Sequence, residues 1–85
     1  MAGSSYVPNY ELRERFKKTY RTRMSALQGA KTEADMQVHY YNLAFLIHFL
    51  GQCEILSFEE FEEYMKPLER AHQDWHINRS EHTPR

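Results

Sequence analysis

A pair of histidines comes closer to a metal site than any other residues in this chain. His72 and His76 are four positions apart, so on a helix both side chains would extend from one face, as metal ligands often do. A zinc-protease motif needs a glutamate directly after the first histidine, and the sequence has Gln73 there. His72 also falls on an apolar helical spacing, which favours a packed histidine. A metal would need a third ligand, from Asp74, His82 or a second subunit, so we predict no metal site and no cofactor.

The other reactive residue types indicate packing rather than catalysis. Cys53 follows the C-terminal end of a predicted helix and has carboxylates nearby at Glu54 and Glu59, an environment that opposes activation of a thiol. His39 and His48 project from opposite sides of one predicted helix and cannot converge within one chain. We expect each to be hydrogen-bonded at a packing seam, although either could pair across a dimer.

Paired carboxylates at Glu59/Glu60 and Glu62/Glu63 predict an exposed, solubilising helix face without acid–base function. The sequence has no glycine-rich phosphate loop, and a chain of 85 residues has little volume for a ligand pocket of about 300 Å³. We therefore predict a protein that is not an enzyme and has no small-molecule substrate.

Composition describes one small globular domain. The chain is 41% apolar and 14% aromatic, with a formal charge of −1, so no bulk charge attracts it to nucleic acid or to acidic membranes. A single cysteine excludes an intrachain disulfide and suggests a reducing compartment. The first ten residues lack the apolar core and basic flank of a signal peptide. We expect a cytoplasmic protein.

The first helix is predicted to begin at Asn9, after a flexible segment over residues 1–8. It should end at Gly29, in the left-handed conformation that glycine often provides. Its apolar stripe has helical spacing and comprises Leu12, Phe16, Tyr20, Met24 and Leu27.

Two further helices are predicted from their capping signals. The second begins after Thr32 and is closed by Gly51. The third begins with the capping box of Ser57 and Glu60, and Pro67 should kink or split it. We expect one helical domain over residues 9–77 with a flexible tail at 78–85. The fold class is all-α, a small three-helix bundle.

The second helix carries apolar residues on two nearly opposite faces. One stripe comprises Met36, Tyr40, Leu43, Ile47 and Leu50, and the other comprises Val38, Tyr41, Phe45 and Phe49. A helix with two apolar faces needs cover on both, and this helix is too short and interrupted to span a membrane. In a compact bundle both neighbours lie on one side, so we predict that the second stripe is the interface of a homodimer. The alternatives are a dedicated partner protein, or neighbours on opposite sides that cover both stripes within one chain.

Charge is segregated along the sequence. Residues 1–31 contain seven basic and two acidic side chains (net +5), and residues 32–85 contain four basic and ten acidic (net −6). The first helix displays a basic face that comprises Arg13, Arg15, Lys17, Lys18, Arg21 and Arg23. This face could dock an anionic partner, or it could be a solvated surface whose exposed pairs contribute about 0–1 kcal/mol each.

These patterns predict a small regulatory or interaction protein. We expect it to bind another macromolecule, mainly a protein, and to inhibit or adapt that partner by covering its surface. Trp75 and Tyr64 are candidate contact residues, although Trp75 is better placed to close the end of the core. The alternative is a nucleic-acid-binding protein that uses the basic face, against which the near-zero net charge and the absence of helix-turn-helix spacing both argue.

Overall fold

The structure is a computed structural model that describes residues 9–82 and the side chains of residues 10–79. Along this part of the chain the helices are α1 (Asn9–Gln28), α2 (Glu33–Gln52) and α3 (Phe58–His82), with no strand among the described residues. The all-α three-helix bundle is therefore confirmed. The predicted flexible segment at 1–8 and the last three residues lie outside the described part of the chain.

Helices α1 and α3 run parallel to each other. The hydroxyl of Tyr20, near the middle of α1, donates a hydrogen bond to the backbone oxygen of Tyr64, in the N-terminal third of α3 (2.8 Å). Further along, Trp75 Nε1 donates to the backbone oxygen of Ala30, just after α1 (2.9 Å). Burial raises the pKa of Tyr20 to about 12, because the phenolate would lose water without gaining a cation.

Helix α2 runs antiparallel to both neighbours. Its C-terminal half places His48 against Phe61, with ring centroids 4.9 Å apart, and its N-terminal half places Tyr40 against His72 at 4.4 Å. The up–down–up order follows from short connections between successive helices, which make consecutive helices antiparallel neighbours. No helix among the described residues has the length and apolar character needed to cross a membrane.

The core consists of one apolar stripe from each helix. Its fully buried side chains are Leu27, Met36, Leu43, Ile47 and Leu68. Trp75 is also buried at the end of the bundle, which confirms its predicted place, and its indole N–H is satisfied by the bond to Ala30. The first stripe of α2 therefore packs as predicted.

The C-terminal end of α2 differs from the prediction. Gly51 lies within the helix, and Glu54 takes the left-handed conformation with φ 60°. The backbone N–H groups of Glu54 and Ile55 donate to the oxygens of Gly51 (3.1 Å) and Leu50 (2.9 Å), the pattern of a Schellman motif. Gly51 packs against α3 instead, where a Cβ would lie 3.4 Å from Cδ2 of Phe61, at the near limit of ordinary van der Waals contact.

The end of α1 is also different in detail. Helix α1 ends at Gln28, before Gly29 as predicted. Gly29 does not have a positive φ, so the expected left-handed stop is wrong. Its N–H donates to the backbone oxygen of Ser25 (3.0 Å) and continues the helical bonding by one residue. At the start of α2, the Thr32 hydroxyl accepts from the N–H of Asp35 (3.2 Å), which confirms the cap.

Helix α3 begins at its predicted capping box and is longer than predicted. The N–H of Ser57 donates to Glu60 Oε1 (2.9 Å), and the N–H of Glu60 donates to Ser57 Oγ (3.1 Å). The helix continues through Pro67 to His82, so it is not split and its expected end at residue 77 is too early. A kink at Pro67 stays a prediction.

Candidate functional surfaces

The second stripe of α2 is exposed in the single chain. Its four side chains, Val38, Tyr41, Phe45 and Phe49, retain between 49% and 70% of their accessible surface. Both neighbouring helices pack against the opposite face of α2, where Met36, Leu43 and Ile47 are buried. The alternative in which α1 and α3 cover both stripes is therefore wrong. The structure contains no second chain, so the predicted dimer interface stays a prediction.

Aromatic contacts organise this exposed stripe. The Phe45 and Phe49 rings stack with centroids 6.1 Å apart and an interplanar angle of 15°, as the i, i+4 spacing permits. Tyr41 meets the ring of Tyr40 edge to face at 5.2 Å, and Tyr40 packs on α3. These contacts restrain the rings on the surface of α2.

The residues of the predicted basic face of α1 fall into two groups, those that contact another helix and those that face outward. Arg13 belongs to the first group. Arg13 Nη1 donates to Glu60 Oε1 (2.9 Å) and to the backbone oxygen of Ile55 (2.8 Å), and Arg13 Nη2 donates to Glu60 Oε2. This bidentate ion pair joins α1 to the start of α3. Arg13 therefore joins α1 to α3 and is partly buried, and its predicted part in binding a partner stays a prediction.

Glu60 takes part in two interactions at once. Its carboxylate accepts from the guanidinium of Arg13 and from the N–H of Ser57. The bond from Arg13 is the main cause, and the bond from Ser57 the next, of a pKa for Glu60 lowered to about 2. Glu60 was expected to be part of a solvated acidic face, whereas it is partly buried between two helices.

Arg23 also faces inward. Its Nη1 lies 3.2 Å from His39 Nδ1 on α2, which supports the prediction of a hydrogen-bonded seam histidine at position 39. The outward residues of the predicted face are Arg15, Lys17, Lys18 and Arg21. Two of them pair within α1, Arg15 with Glu11 (3.4 Å) and Lys17 with Glu14 (3.2 Å), and such exposed pairs are weak.

The histidines on α3 are packed among rings. His72 lies against Tyr40, and the centroids of His72 and His76 are 4.8 Å apart. Both side chains are half-buried, consistent with the predicted packed histidine at position 72. Among the described side chains, those of residues 10–79, no three His, Cys, Asp or Glu are grouped so that they could hold a metal ion.

Two other candidate residues are now located. Cys53 is exposed at the C-cap of α2. Tyr64, a candidate contact residue, packs with Phe16 and Tyr20 at centroid distances of 4.7 and 4.8 Å. Its ring therefore belongs to the seam between α1 and α3 and does not form part of an exposed binding surface.

Surface grooves are larger than the length of the chain suggested. One open groove, of about 520 Å³, lies between the end of α1 and the C-terminal half of α3, beside Trp75 and Arg79. A second, of about 370 Å³, adjoins it beside Lys66 and Arg70. The expectation that so small a chain has scarcely the volume for a ligand was therefore too strict. The prediction also missed that basic residues of the mostly acidic α3 line this surface.

Comparison with known proteins identifies no relative of this chain. No protein-family model, no curated protein and no solved structure matches the chain.

Proposed function

We propose that this protein is a non-enzymatic helical interaction protein. In this proposal two copies pair through the exposed stripe of α2, and the pair binds a further macromolecule, a protein, whose activity it inhibits or adapts by covering part of its surface. The observation that carries the proposal is the outward apolar stripe of Val38, Tyr41, Phe45 and Phe49, which none of the three helices covers in the described part of the chain. We place it in the cytoplasm, because its one cysteine is free and exposed.

The area of the stripe supports an interface. Three aromatic side chains and a valine at these exposures present on the order of 400 Å², the size of the largest apolar patch on a typical monomer, which is often functional. A standard interface covers about 800 Å² on each partner. The stripe could supply about half of that area, and the polar residues at its margins would supply the rest.

A charge placed in the stripe tests self-association. Phe45→Glu should shift sedimentation from dimer to monomer, because an unpaired carboxylate would be buried in the interface. Ile77→Glu is the matched control, since Ile77 is another exposed apolar residue (52%) but lies on α3. Both variants should retain the helical circular dichroism of the original chain. A dimer that survives Phe45→Glu, or a monomeric original chain, would contradict the proposal.

Nucleic-acid binding is the second candidate, and the four outward cations of α1 support it. Arg15, Lys17, Lys18 and Arg21 could contact phosphates without disturbing the bundle. This function predicts an affinity for oligonucleotides that falls steeply as salt is raised, and that Lys18→Glu weakens. Binding that is absent or insensitive to salt would remove this candidate.

A further inference from the structure

We infer that the groove between α1 and the C-terminal half of α3 binds an acidic, amphipathic segment of a partner protein. The inference rests on the proposed function only for the idea that another protein is bound. It adds the place of binding and the chemistry of the bound segment, neither of which the basic face of α1 alone predicted.

The groove is continuous and separate from the stripe of α2. Its two parts share Gln28, Ala71 and Asp74, and none of the residues that line them belongs to α2. On α3 it extends from Lys66 to Arg79, which at 1.5 Å per residue is about 20 Å. A segment of about six extended residues, or of about thirteen helical residues, would match this length.

Part of the floor of the groove is apolar. Met24 and Pro67 line one part, Trp75 lines the other, and Ala71 lines both. The Trp75 ring is held in place by the hydrogen bond from its indole N–H to the backbone oxygen of Ala30. A ligand that places one or two apolar side chains on this floor would bury apolar surface that α1 and α3 leave open, which favours binding.

The walls of the groove carry more positive than negative charge. Lys66, Arg70 and Arg79 lie along α3, and Asp74 is the one carboxylate among the lining residues. On α1, Arg21 is not among the lining residues, but it lies seven positions before Gln28 and therefore on the same face of that helix. Cations beside a partly apolar floor are complementary to a segment that alternates carboxylates with apolar residues.

The cations differ in how far they are already engaged. Arg79 lies over the Trp75 ring at 4.7 Å from its centroid, and Lys66 makes an exposed contact of 3.9 Å with Glu62, a weak kind of pair. Arg21 and Arg70 form no ion pair with any residue in the described part of the chain. The guanidinium groups of these two arginines are therefore the ones best able to form an ion pair with a carboxylate of the ligand.

A protein segment fits this site better than a nucleic acid. Beyond Lys66 the groove meets the acidic half of α3, where the exposed carboxylates are Glu59, Glu62 and Glu63. A long polyanion would extend into that region and be repelled, whereas a short acidic segment would end within the groove. The apolar floor also suits leucine or phenylalanine side chains, which a phosphate backbone does not have.

The test uses the full chain and a synthetic peptide of about twelve residues with Glu and Leu at helical spacing. The peptide contains no tryptophan, so Trp75, the single tryptophan of the protein, reports occupation of the groove by fluorescence. A polyglutamate peptide and an oligothymidylate of equal charge are the comparison ligands. We expect saturable binding of the amphipathic peptide with a change in Trp75 emission, and weaker binding of both comparison ligands.

Two double variants locate the site. Arg21→Glu/Arg70→Glu should lower the peptide affinity roughly tenfold, because two attractive pairs become repulsive. Arg15→Glu/Lys18→Glu makes the same change of charge on the outer surface of α1 and should leave the affinity within about twofold.

Several results would overturn the inference. They are the absence of peptide binding, equal losses in both double variants, and equal or tighter binding of polyglutamate or oligothymidylate. Sedimentation of the same samples measures self-association separately. An empty groove in a dimer would therefore contradict this inference alone, and a monomer that binds the peptide would contradict only the proposed pairing.

Discussion

At the scale of single residues, Glu54 adopts a backbone conformation that its side chain disfavours. Its φ of 60° lies in the left-handed region, where a residue with a Cβ is strained by about 1–2 kcal/mol and glycine is not. The strain persists because the Schellman bonds to Leu50 and Gly51 complete the end of α2. A glycine, Gly51, was expected to end α2 in this way. It lies three positions before Glu54, the residue that takes the left-handed conformation.

Glu54→Gly should therefore stabilise the protein. We expect a gain of about 0.5–1 kcal/mol in the free energy of unfolding, after the extra freedom of glycine in the unfolded chain offsets part of the relieved strain. Urea denaturation measures it. Glu54→Ala keeps the strain and removes only the charge, so it should show no such gain. Equal stabilisation by both substitutions would mean that charge, and not φ, is responsible.

Glu60 predicts how stability depends on pH. Its pKa in the folded protein is about 2, below the ordinary value of 4.5. A lowered carboxyl pKa contributes stability that is fully present above about pH 4.5 and is lost as the pH falls towards 2. The advantage of the original chain over Glu60→Gln should shrink by roughly half or more between pH 7 and pH 3.

The Glu60 prediction has a neighbouring control. Glu59 is one residue away and exposed, so Glu59→Gln should follow the pH dependence of the original chain. The midpoints of urea denaturation of the original chain and both variants, measured at pH 7 and pH 3, test this prediction. If the free energy of unfolding falls equally with pH in Glu60→Gln and in the original chain, the ion pair with Arg13 makes no pH-dependent contribution to stability.

At the scale of elements, α3 accommodates a proline within its interior. Pro67 has no N–H to donate to the oxygen of residue 63, and its ring crowds the preceding turn. The helix nevertheless continues from Phe58 to His82, because the residues on both sides of Pro67 belong to one apolar stripe. Leu68, Ala71 and Trp75 are buried together with the core of α1 and α2, and this burial outweighs the local cost.

Pro67→Ala should consequently strengthen α3. We expect about 1–3 kcal/mol of added stability, since alanine restores one backbone hydrogen bond and removes the clash. Thermal unfolding followed by circular dichroism would measure it. Lys66→Ala, at an adjacent exposed position, should change stability by no more than about 0.5 kcal/mol. A loss of stability on Pro67→Ala would show that the proline ring packs favourably where it lies.

At the scale of the whole molecule, the two apolar faces of α2 have different surroundings. One face holds the bundle together, and the other remains uncovered in the single chain. If copies pair through this uncovered face, folding is coupled to association, and the melting temperature rises with protein concentration. Phe45→Glu should abolish that dependence while Ile77→Glu preserves it. A melting temperature independent of concentration in the original chain would contradict pairing.

Much of the fold could be predicted from local pattern alone. The caps at Thr32 and Ser57, the order of three helices and the apolar stripe of α2 that is buried all depend on neighbours within a few positions along the chain. The exposure of the second stripe also followed, because two short-linked helices in a small bundle lie on one side of the helix between them.

Only the tertiary structure decided which charges are free. Arg13 and Glu60 are 47 positions apart, and no spacing rule connects residues so distant, so both were assigned to open faces when they bind each other. Likewise, Arg70 lines one groove together with Met24 and Gln28 of α1 because α1 and α3 pack in parallel. Helical periodicity determines which residues of one helix share a face, whereas the rotation and axial shift of one helix against another depend on the packing of the whole core.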